Sequence, residues 1–251
     1  MRRSLPLLLG LAAALLLAAG LVGRGTTPRL EAAVPTIAER PFLPRTAARE
    51  PARRWRHPTA AIVRPTALRA VPGGRRLARI GRRTEFGSPT VLAVVGRRPG
   101  WLAVQSPALR NGARGWIRAA HATLGGSDYE IVVDRSRRTA RLRRGDRTVL
   151  RFRVAVGRPG NETPLGRFAV TDALRTSDPR SPYGCCALAL TGHQPKLAPG
   201  WSGGDRLAIH GTPSPGTIGR AASLGCLRAG RSPLRRLLRT VPLGTPVVIR
   251  A

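Results

Sequence analysis

Residues 209–229 read IHGTPSPGTIGRAASLGCLRA, and within them His210 and Cys226 stand among glycines and prolines. The preceding residues, RLAIH, alternate in polarity, which predicts a strand that ends at His210 and fixes the position of its imidazole. The glycines and prolines that follow exclude a regular helix or strand. The sequence therefore predicts a positioned histidine followed by an irregular loop that carries a thiol.

The residue types around this thiol suit a cysteine nucleophile. A thiol is activated when a histidine takes its proton or when positive charge lies nearby, and His210 and Arg228 offer these two groups. Gly225 lets backbone approach a substrate carbonyl, so the N–H groups there would stabilise an oxyanion. Taken alone, however, a cysteine and a histidine at this spacing are more often buried structural residues. The candidate site residues at this stage are Cys226, His210, Gly225, Arg228, Gly211 and Ser223.

The other cysteines are Cys185 and Cys186, which makes an odd total of three with Cys226. An odd count in an exported protein indicates at least one free or reactive thiol. Because ring closure between adjacent cysteines is strained, we expect no disulfide framework. A zinc site that combines these cysteines with His193 fits metal-ligand spacing poorly, so we predict no metal and no cofactor.

The N-terminus has the pattern of an export signal. Basic residues at 2–3 precede an apolar run from Leu5 to Val22, which predicts a leader over residues 1–23, either cleaved or retained as a membrane anchor. Residues 24–59 are rich in proline and arginine and predict an extended linker. The expected location is therefore outside the cytoplasm, in the cell envelope.

The formal net charge of +32 is extreme, and Lys196 is the sole lysine. The dispersed arginines fit a compositional bias of a whole proteome better than one binding patch. A charge of this size nevertheless attracts polyanions at low salt. Export favours anionic cell-envelope polymers as partners, and we predict no nucleic-acid partner.

Two β-rich units are predicted. Residues 60–122 contain short strands such as VLAVV and WLAVQ, with a hairpin signal at Asn111-Gly112 and with Trp101 and Trp116 as core or half-core aromatics. Residues 128–251 contain alternating strands such as YEIVVD and TARLRR. Their one short helix, SPLRRLLRTVPLG, is predicted to be capped by Ser232 and to end at Gly244, with an apolar face of Leu234, Leu237, Leu238 and Val241.

The segment HGTPSPGTIGRAASLGCLRA resembles the active-site signature of L,D-transpeptidases with a YkuD-type catalytic domain. VGRPGNETPLGRFAV, SPYG and VPLGTPVVI fit that family in the same order, over residues 128–250. GWLAVQSPALRNGARGWIRAA resembles the bacterial SH3-like domains that precede cell-wall enzymes. The resemblance implies a mainly β protein: a YkuD-type β-sandwich or barrel with one short helix, plus a small SH3-like β-barrel.

The resemblance also implies a chemistry. Cys226 would be the acylated nucleophile and His210 its proton acceptor and donor, acting on peptidoglycan stem peptides with loss of D-alanine. The family usually has histidine where this chain has Leu224, a position that would be a pocket wall and not the base. The stretch that contains Cys185 and Cys186, with Tyr183 and His193, would form the lip of the substrate cleft.

Three functions follow from these features. The leading prediction is a peptidoglycan L,D-transpeptidase that forms cross-links through a cysteine thioester. An L,D-carboxypeptidase uses the same site with water as acceptor. A non-catalytic cell-wall-binding protein would use the SH3-like unit and the arginine charge, with Leu224 marking decay of the site.

Overall fold

The structure, a computed structural model, describes residues 55–251 except Ser177, Pro179, Ala198 and Trp201. The predicted leader and most of the predicted linker lie outside the described residues. No helix among residues 55–251, as far as they are described, has the length and apolar character needed to cross a membrane. Within this part of the chain the protein is mainly β with one short α-helix, as predicted.

The first seven strands form one sheet with the order β3-β2-β6-β5-β4-β1-β7. Its strands begin at residue 57 and end at residue 127, so the sheet extends past the predicted bounds of 60–122 at both ends. The likeness of this unit to SH3-like domains stays a prediction. The strands are β1 His57–Ile62, β2 Thr66–Arg69, β3 Arg76–Ile80, β4 Val91–Arg98, β5 Trp101–Val104, β6 Gly115–Arg118 and β7 Ala122–Ser127.

The core of this first sheet is small and aliphatic. Leu68 and Ile117 are fully buried in it, and Trp116 is also buried, whereas Trp101 is half-buried beneath the guanidinium of Arg118. Both tryptophans are thus core or half-core aromatics. The remaining buried apolar members are Ala60, Ile62, Ile80, Leu92, Val94, Leu102 and Val104.

The hairpin predicted at Asn111-Gly112 is wrong in its form. β5 and β6 do pair antiparallel, with Leu102 opposite Ile117, but residues 105–114 connect them instead of a two-residue turn. Gly112 has a φ of +77°, as a turn requires, while the Asn111 side chain bonds to a residue of the second sheet. A long-range partner, which local sequence does not reveal, explains the difference.

The second sheet contains nine strands in the order β14-β10-β15-β13-β12-β11-β16-β8-β9, and an added pairing of β10 with β9 closes it. The strands are β8 Tyr129–Asp134, β9 Thr139–Arg144, β10 Arg147–Gly157, β11 Gly166–Arg175, β12 Cys186–His193, β13 Arg206–His210, β14 Ala221–Ser223, β15 Leu227–Ala229 and β16 Pro246–Arg250.

Two long strands turn this sheet into a closed barrel with two layers. β10 pairs with β9 through residues 147–153 and with β15 through residues 154–155. β11 pairs with β16 through residues 166–169 and with β12 through residues 170–175. Because each long strand belongs to both layers, the apolar faces enclose one core, which agrees with the predicted sandwich or barrel.

The helix α1 spans Arg231–Thr240 and buries Leu234 and Leu237 against the barrel core. The predicted cap at Ser232 is wrong: the N-cap residue is Gly230, without a side-chain hydrogen bond, and the helix begins one residue before Ser232. The helix ends before Val241-Pro242, because proline cannot continue it. Gly244, with a φ of +80°, instead forms the turn into β16.

Candidate active site

Strand pairing brings His210 and Cys226 to one face of the barrel. β13 and β15 are parallel neighbours in which Ile209 lies opposite Leu227 and His210 lies opposite Arg228. Cys226 immediately precedes β15, and side chains two residues apart on an extended chain point to the same face. Cys226, Arg228 and His210 therefore share a face, although sixteen residues separate the histidine from the cysteine.

These side chains line one cavity of about 140 Å³. Its walls come from three segments: the turn before β12, the connection between β12 and β13, and the loop before β15. Of the residues predicted for the site, five line it, namely Cys226, His210, Ser223, Arg228 and Tyr183. Leu224, predicted as a pocket wall, lines it as well.

The imidazole of His210 is buried and held in one tautomer. Its Nδ1 lies 2.5 Å from the carbonyl oxygen of Gly211, and since a carbonyl only accepts, Nδ1 donates and Nε2 is left as the basic nitrogen. Burial lowers the pKa of His210 to about 4, and the nearby Arg228 charge lowers it further. His210 is therefore a neutral base at neutral pH.

Cys226 is the free cysteine of the described residues and is partly exposed to the cavity. Burial raises the pKa of its thiol, while a hydrogen bond from the backbone of Ala208 and the charge of Arg228 partly oppose this rise. Its Sγ lies 3.7 Å from the carbonyl oxygen of Arg206, to which it donates. The resting pair is thus a neutral thiol and a neutral imidazole, so the cysteine needs a base to become a nucleophile.

The turn before the cysteine is fixed by its own hydrogen bonds. Ser223 is buried, accepts from the N–H of Gly225 at 3.1 Å and donates to the carbonyl of Cys226 at 2.6 Å. The N–H of Gly225, predicted as an oxyanion donor, is therefore already engaged. Gly225 has a φ of +124°, and a Cβ there would collide with the Gln194 carboxamide.

Two residues that were not predicted from the sequence, Gln194 and Thr163, donate hydrogen bonds to the backbone of this turn. The buried Gln194 side chain lies 3.1 Å from the carbonyl of Leu224 and also reaches the carbonyls of Asn161 and Glu162. Thr163 donates to the carbonyl of Gly225 at 2.7 Å. The only sequence signal was their presence in Gly/Pro-rich loops, which does not identify their partners.

Gly211 and Tyr183 support the histidine. Gly211 is buried and in close contact with the backbone of Tyr183 and Gly184, which leaves no room for a side chain. The Tyr183 ring meets the His210 imidazole edge-on, with 5.0 Å between centroids. Burial, followed by the nearby Cys226, raises the pKa of Tyr183, so its hydroxyl stays protonated and can donate to a ligand in the cavity.

His193 does not line the cavity that contains Cys226 and His210, contrary to the prediction that it lies at the lip of that cleft. Its Nε2 lies 2.7 Å from the carbonyl of Pro107, and its Nδ1 lies 3.0 Å from the Asp205 carboxylate. It lies instead on a second cavity, of about 420 Å³, between the two sheets. The physical reason is capture by the β5–β6 loop, whose residues lie more than 80 positions away in sequence.

Cys185 and Cys186, whose redox state the sequence leaves open, form a disulfide with each other. Successive side chains on a strand point to opposite faces, which would keep the sulfurs apart. Cys185 lies outside β12, which begins at Cys186, and so escapes that constraint. The pair lines a separate surface pocket with Gly211 and Arg231, not the cavity that contains Cys226.

The described residues contain no group of three or more His, Cys, Asp or Glu side chains that could hold a metal ion. The cavity brings together a thiol, an imidazole, two arginines and one tyrosine hydroxyl.

The sequence that forms the barrel is similar to known proteins. Residues 128–249 match the family model of YkuD, the L,D-transpeptidase catalytic domain. Over these residues the barrel is similar to that catalytic domain. The chain is similar to the YkuD proteins of Bacillus licheniformis, at 35% identity, and Bacillus subtilis, at 31%, in each case over 121 residues. The match covers 48% of this chain and 65% of each relative.

Solved structures of similar fold include an L,D-transpeptidase from Mycobacterium smegmatis, at 17% identity and a TM-score of 0.40, covering 60% of this chain and 67% of that one. L,D-transpeptidase 3 from Mycobacterium tuberculosis, in complex with a faropenem-derived adduct, is 15% identical with a TM-score of 0.43. That match covers 64% of this chain and 91% of the other.

Proposed function

We propose that this protein is a peptidoglycan L,D-transpeptidase that works through a cysteine thioester. The observation that supports the proposal most is the register of β13 and β15, which puts His210 and Cys226 on the same face of one cavity. The match of residues 128–249 to the YkuD catalytic domain supports the choice of stem peptides as substrate.

The acylation step follows from the neutral resting pair. His210 takes the thiol proton at Nε2 as the sulfur attacks the carbonyl that joins the L-centre of a diamino acid to a terminal D-alanine. The tetrahedral intermediate collapses with breakage of that amide bond. His210 returns the proton to the departing amine, so D-alanine leaves and a thioester remains on Cys226. Arg228, which lines the cavity, is suited to hold a substrate carboxylate.

The second step conserves the acyl bond energy. The amine of a neighbouring stem attacks the thioester and gives a proton to His210. As the C–S bond breaks and the new amide forms, His210 passes that proton to the departing sulfur, which restores the thiol. No nucleotide triphosphate is needed, which suits a reaction outside the cell. We place the protein in the cell envelope, exported by its N-terminal segment, with anionic envelope polymers as further partners of its +32 charge.

The test is to incubate the purified protein with tetrapeptide stems and analyse the products by mass spectrometry. The proposal predicts cross-linked dimers and released D-alanine. Cys226→Ala and Cys226→Ser should give neither product, while Ser214→Ala, an exposed change in the same segment outside the catalytic cavity, should behave as wild type. Trimmed monomers without dimers would indicate an L,D-carboxypeptidase. Unchanged stems would favour a wall-binding protein.

A further inference from the structure

We infer that two loops of the first sheet position the nucleophile of the second. The clamp loops are residues 82–89 and 105–114, and they hold three residues that we call the rim, His193, Asp205 and Arg206. This inference rests on the proposed function and extends it, because it makes the N-terminal sheet part of the catalytic apparatus.

The loop of residues 105–114 holds His193 by its backbone and its ring. The Asn111 side chain donates to the carbonyl of His193 at 2.7 Å and accepts from its N–H at 2.8 Å. This reciprocal pair extends β12 as a neighbouring strand would. The imidazole then bridges Pro107 and the carboxylate of Asp205, at 2.7 Å and 3.0 Å. Asp205 is thus tied to the first sheet through His193.

The loop of residues 82–89 holds Arg206. Its guanidinium forms an ion pair with Glu85 and lies 5.9 Å from the centroid of the Phe86 ring. It also donates to the carbonyl of Leu190 and to Thr171 of the second sheet. Only 17% of the Arg206 side chain is exposed. A charged group buried this far needs its partners, so Glu85 fixes where Arg206 can lie.

The same loop makes a second contact with the barrel, through Thr84. Thr84 donates to the carboxylate of Asp172 at 2.5 Å, and Asp172 is completely buried in β11. The clamp loop is therefore attached to the barrel by an ion pair and by a separate hydrogen bond.

The rim in turn contacts the nucleophile from two sides. The carbonyl of Arg206 accepts from Sγ of Cys226 at 3.7 Å. Gln194, the residue after His193, connects the rim to the turn before the thiol. Its N–H donates to the carbonyl of Asp205 at 2.7 Å, and its side chain donates to the carbonyl of Leu224. Displacement of the rim would therefore move the thiol and the turn before it.

Misplacement of reacting groups by an ångström can cost about a hundredfold in rate. Loss of one clamp contact should therefore lower the maximal rate of Cys226 acylation by about five- to a hundredfold. The concentration of acylating compound that gives half of this rate should change less. The residues that make the contacts, Asn111 and Glu85, are exposed and touch no substrate cavity at the thiol.

The experiment compares Asn111→Ala and Glu85→Gln with two matched controls in the full-length protein. Gln105→Ala removes another hydrogen bond from the same loop to the second sheet, to the carbonyl of Arg167 at 2.8 Å, away from the rim. Asp146→Asn removes the exposed ion pair with Arg56, also at 2.8 Å. Each variant is measured for acylation by faropenem, for melting temperature and for amide hydrogen exchange at residues 193–206.

If the clamp loops hold the rim, Asn111→Ala and Glu85→Gln should show slower acylation and faster hydrogen exchange at residues 193–206. The two controls should show neither effect, and all four variants should have the same melting temperature. The inference is overturned if exchange and acylation match the controls, or if all four variants change alike, since that would be a general effect of stability. A wild-type protein that faropenem does not acylate would contradict the proposed function, while the exchange measurement would still decide whether the loops hold the rim.

Discussion

At the residue scale, the site consists of two groups that are uncharged at rest. Burial lowers the pKa of His210 and raises that of Cys226, so both shifts oppose a preformed thiolate–imidazolium pair. In the proposed mechanism both groups gain charge only during the reaction, when substrate fills the cavity. That mechanism therefore needs His210 as a base, because Arg228 alone would not activate a thiol whose pKa burial has raised.

The lowered pKa of His210 predicts the acid side of the pH profile. Only neutral imidazole accepts the thiol proton, so kcat/KM should stay high through pH 6 and fall as pH drops through about 4. An ordinary histidine would produce that fall near its unperturbed pKa of about 6.5. Stopped-flow acylation between pH 3.5 and 8 measures the profile. An acid limb near 6.5 would contradict the buried, neutral His210.

The backbone conformation of Gly225 predicts that a side chain at this position lowers both stability and acylation rate. A Cβ at this residue would collide with Gln194, and the φ of +124° disfavours any other residue. Gly225→Ala should therefore destabilise the protein by about 1–3 kcal/mol and slow acylation. Thermal unfolding and acylation kinetics test both effects. Gly216→Ala, where nothing lies within 4 Å of an added Cβ and φ is not positive, is the control that should change little.

At the scale of elements, much of the fold was predictable from local patterns. The strand ending at His210, the β8–β9 hairpin and the helix with Leu234 and Leu237 inward all follow from alternation or from helical spacing. The helix cap was not predictable, because Gly230 begins the helix through its backbone and Ser232 lies inside it. The register of the short strand β15 was not predictable either, since three residues carry no periodicity.

The site was predictable to the same extent. The residue types and the family resemblance together predicted Cys226 and His210 as the candidate pair, whereas Gln194 and Thr163 act through backbone carbonyls that sequence does not mark. His193 was misplaced because its partners, Asn111 and Pro107, lie in another sheet. Long-range polar contacts are therefore what the sequence left undetermined.

The helix supplies a prediction about the barrel core. Leu237 is fully buried against it, while Leu238 is only half-buried. Leu237→Ala should lower the free energy of unfolding by about 2–5 kcal/mol, because it removes packed methyl groups and leaves a cavity. Leu238→Ala should cost clearly less. Chemical denaturation of the two variants measures the difference, and equal losses would contradict the packing described for α1.

At the scale of the whole molecule, the chain combines a seven-stranded sheet, a nine-stranded barrel and an excess of arginine. The two sheets meet through polar groups, with Asn111, Glu85 and Gln105 each bonding to the barrel. These contacts attach the first sheet to the barrel at His193 and Arg206.

The charge of +32 predicts that the protein binds anionic polymers electrostatically. Binding to an anionic polysaccharide such as heparin should be strong at low salt and weaken steeply as salt rises, because salt screens exposed charges. Cys226→Ala should bind equally well. Retention on a heparin column in a salt gradient measures this, and retention that is insensitive to salt would contradict an electrostatic origin.

We propose above all that the sulfur of Cys226 takes the acyl group. The most direct test of this proposal is peptide mapping by mass spectrometry after incubation with faropenem, with the wild type beside Cys226→Ala. The account predicts one adduct, on the peptide that contains Cys226, and none in the variant. An adduct on Cys185 or Cys186, or an adduct that survives in Cys226→Ala, would contradict it.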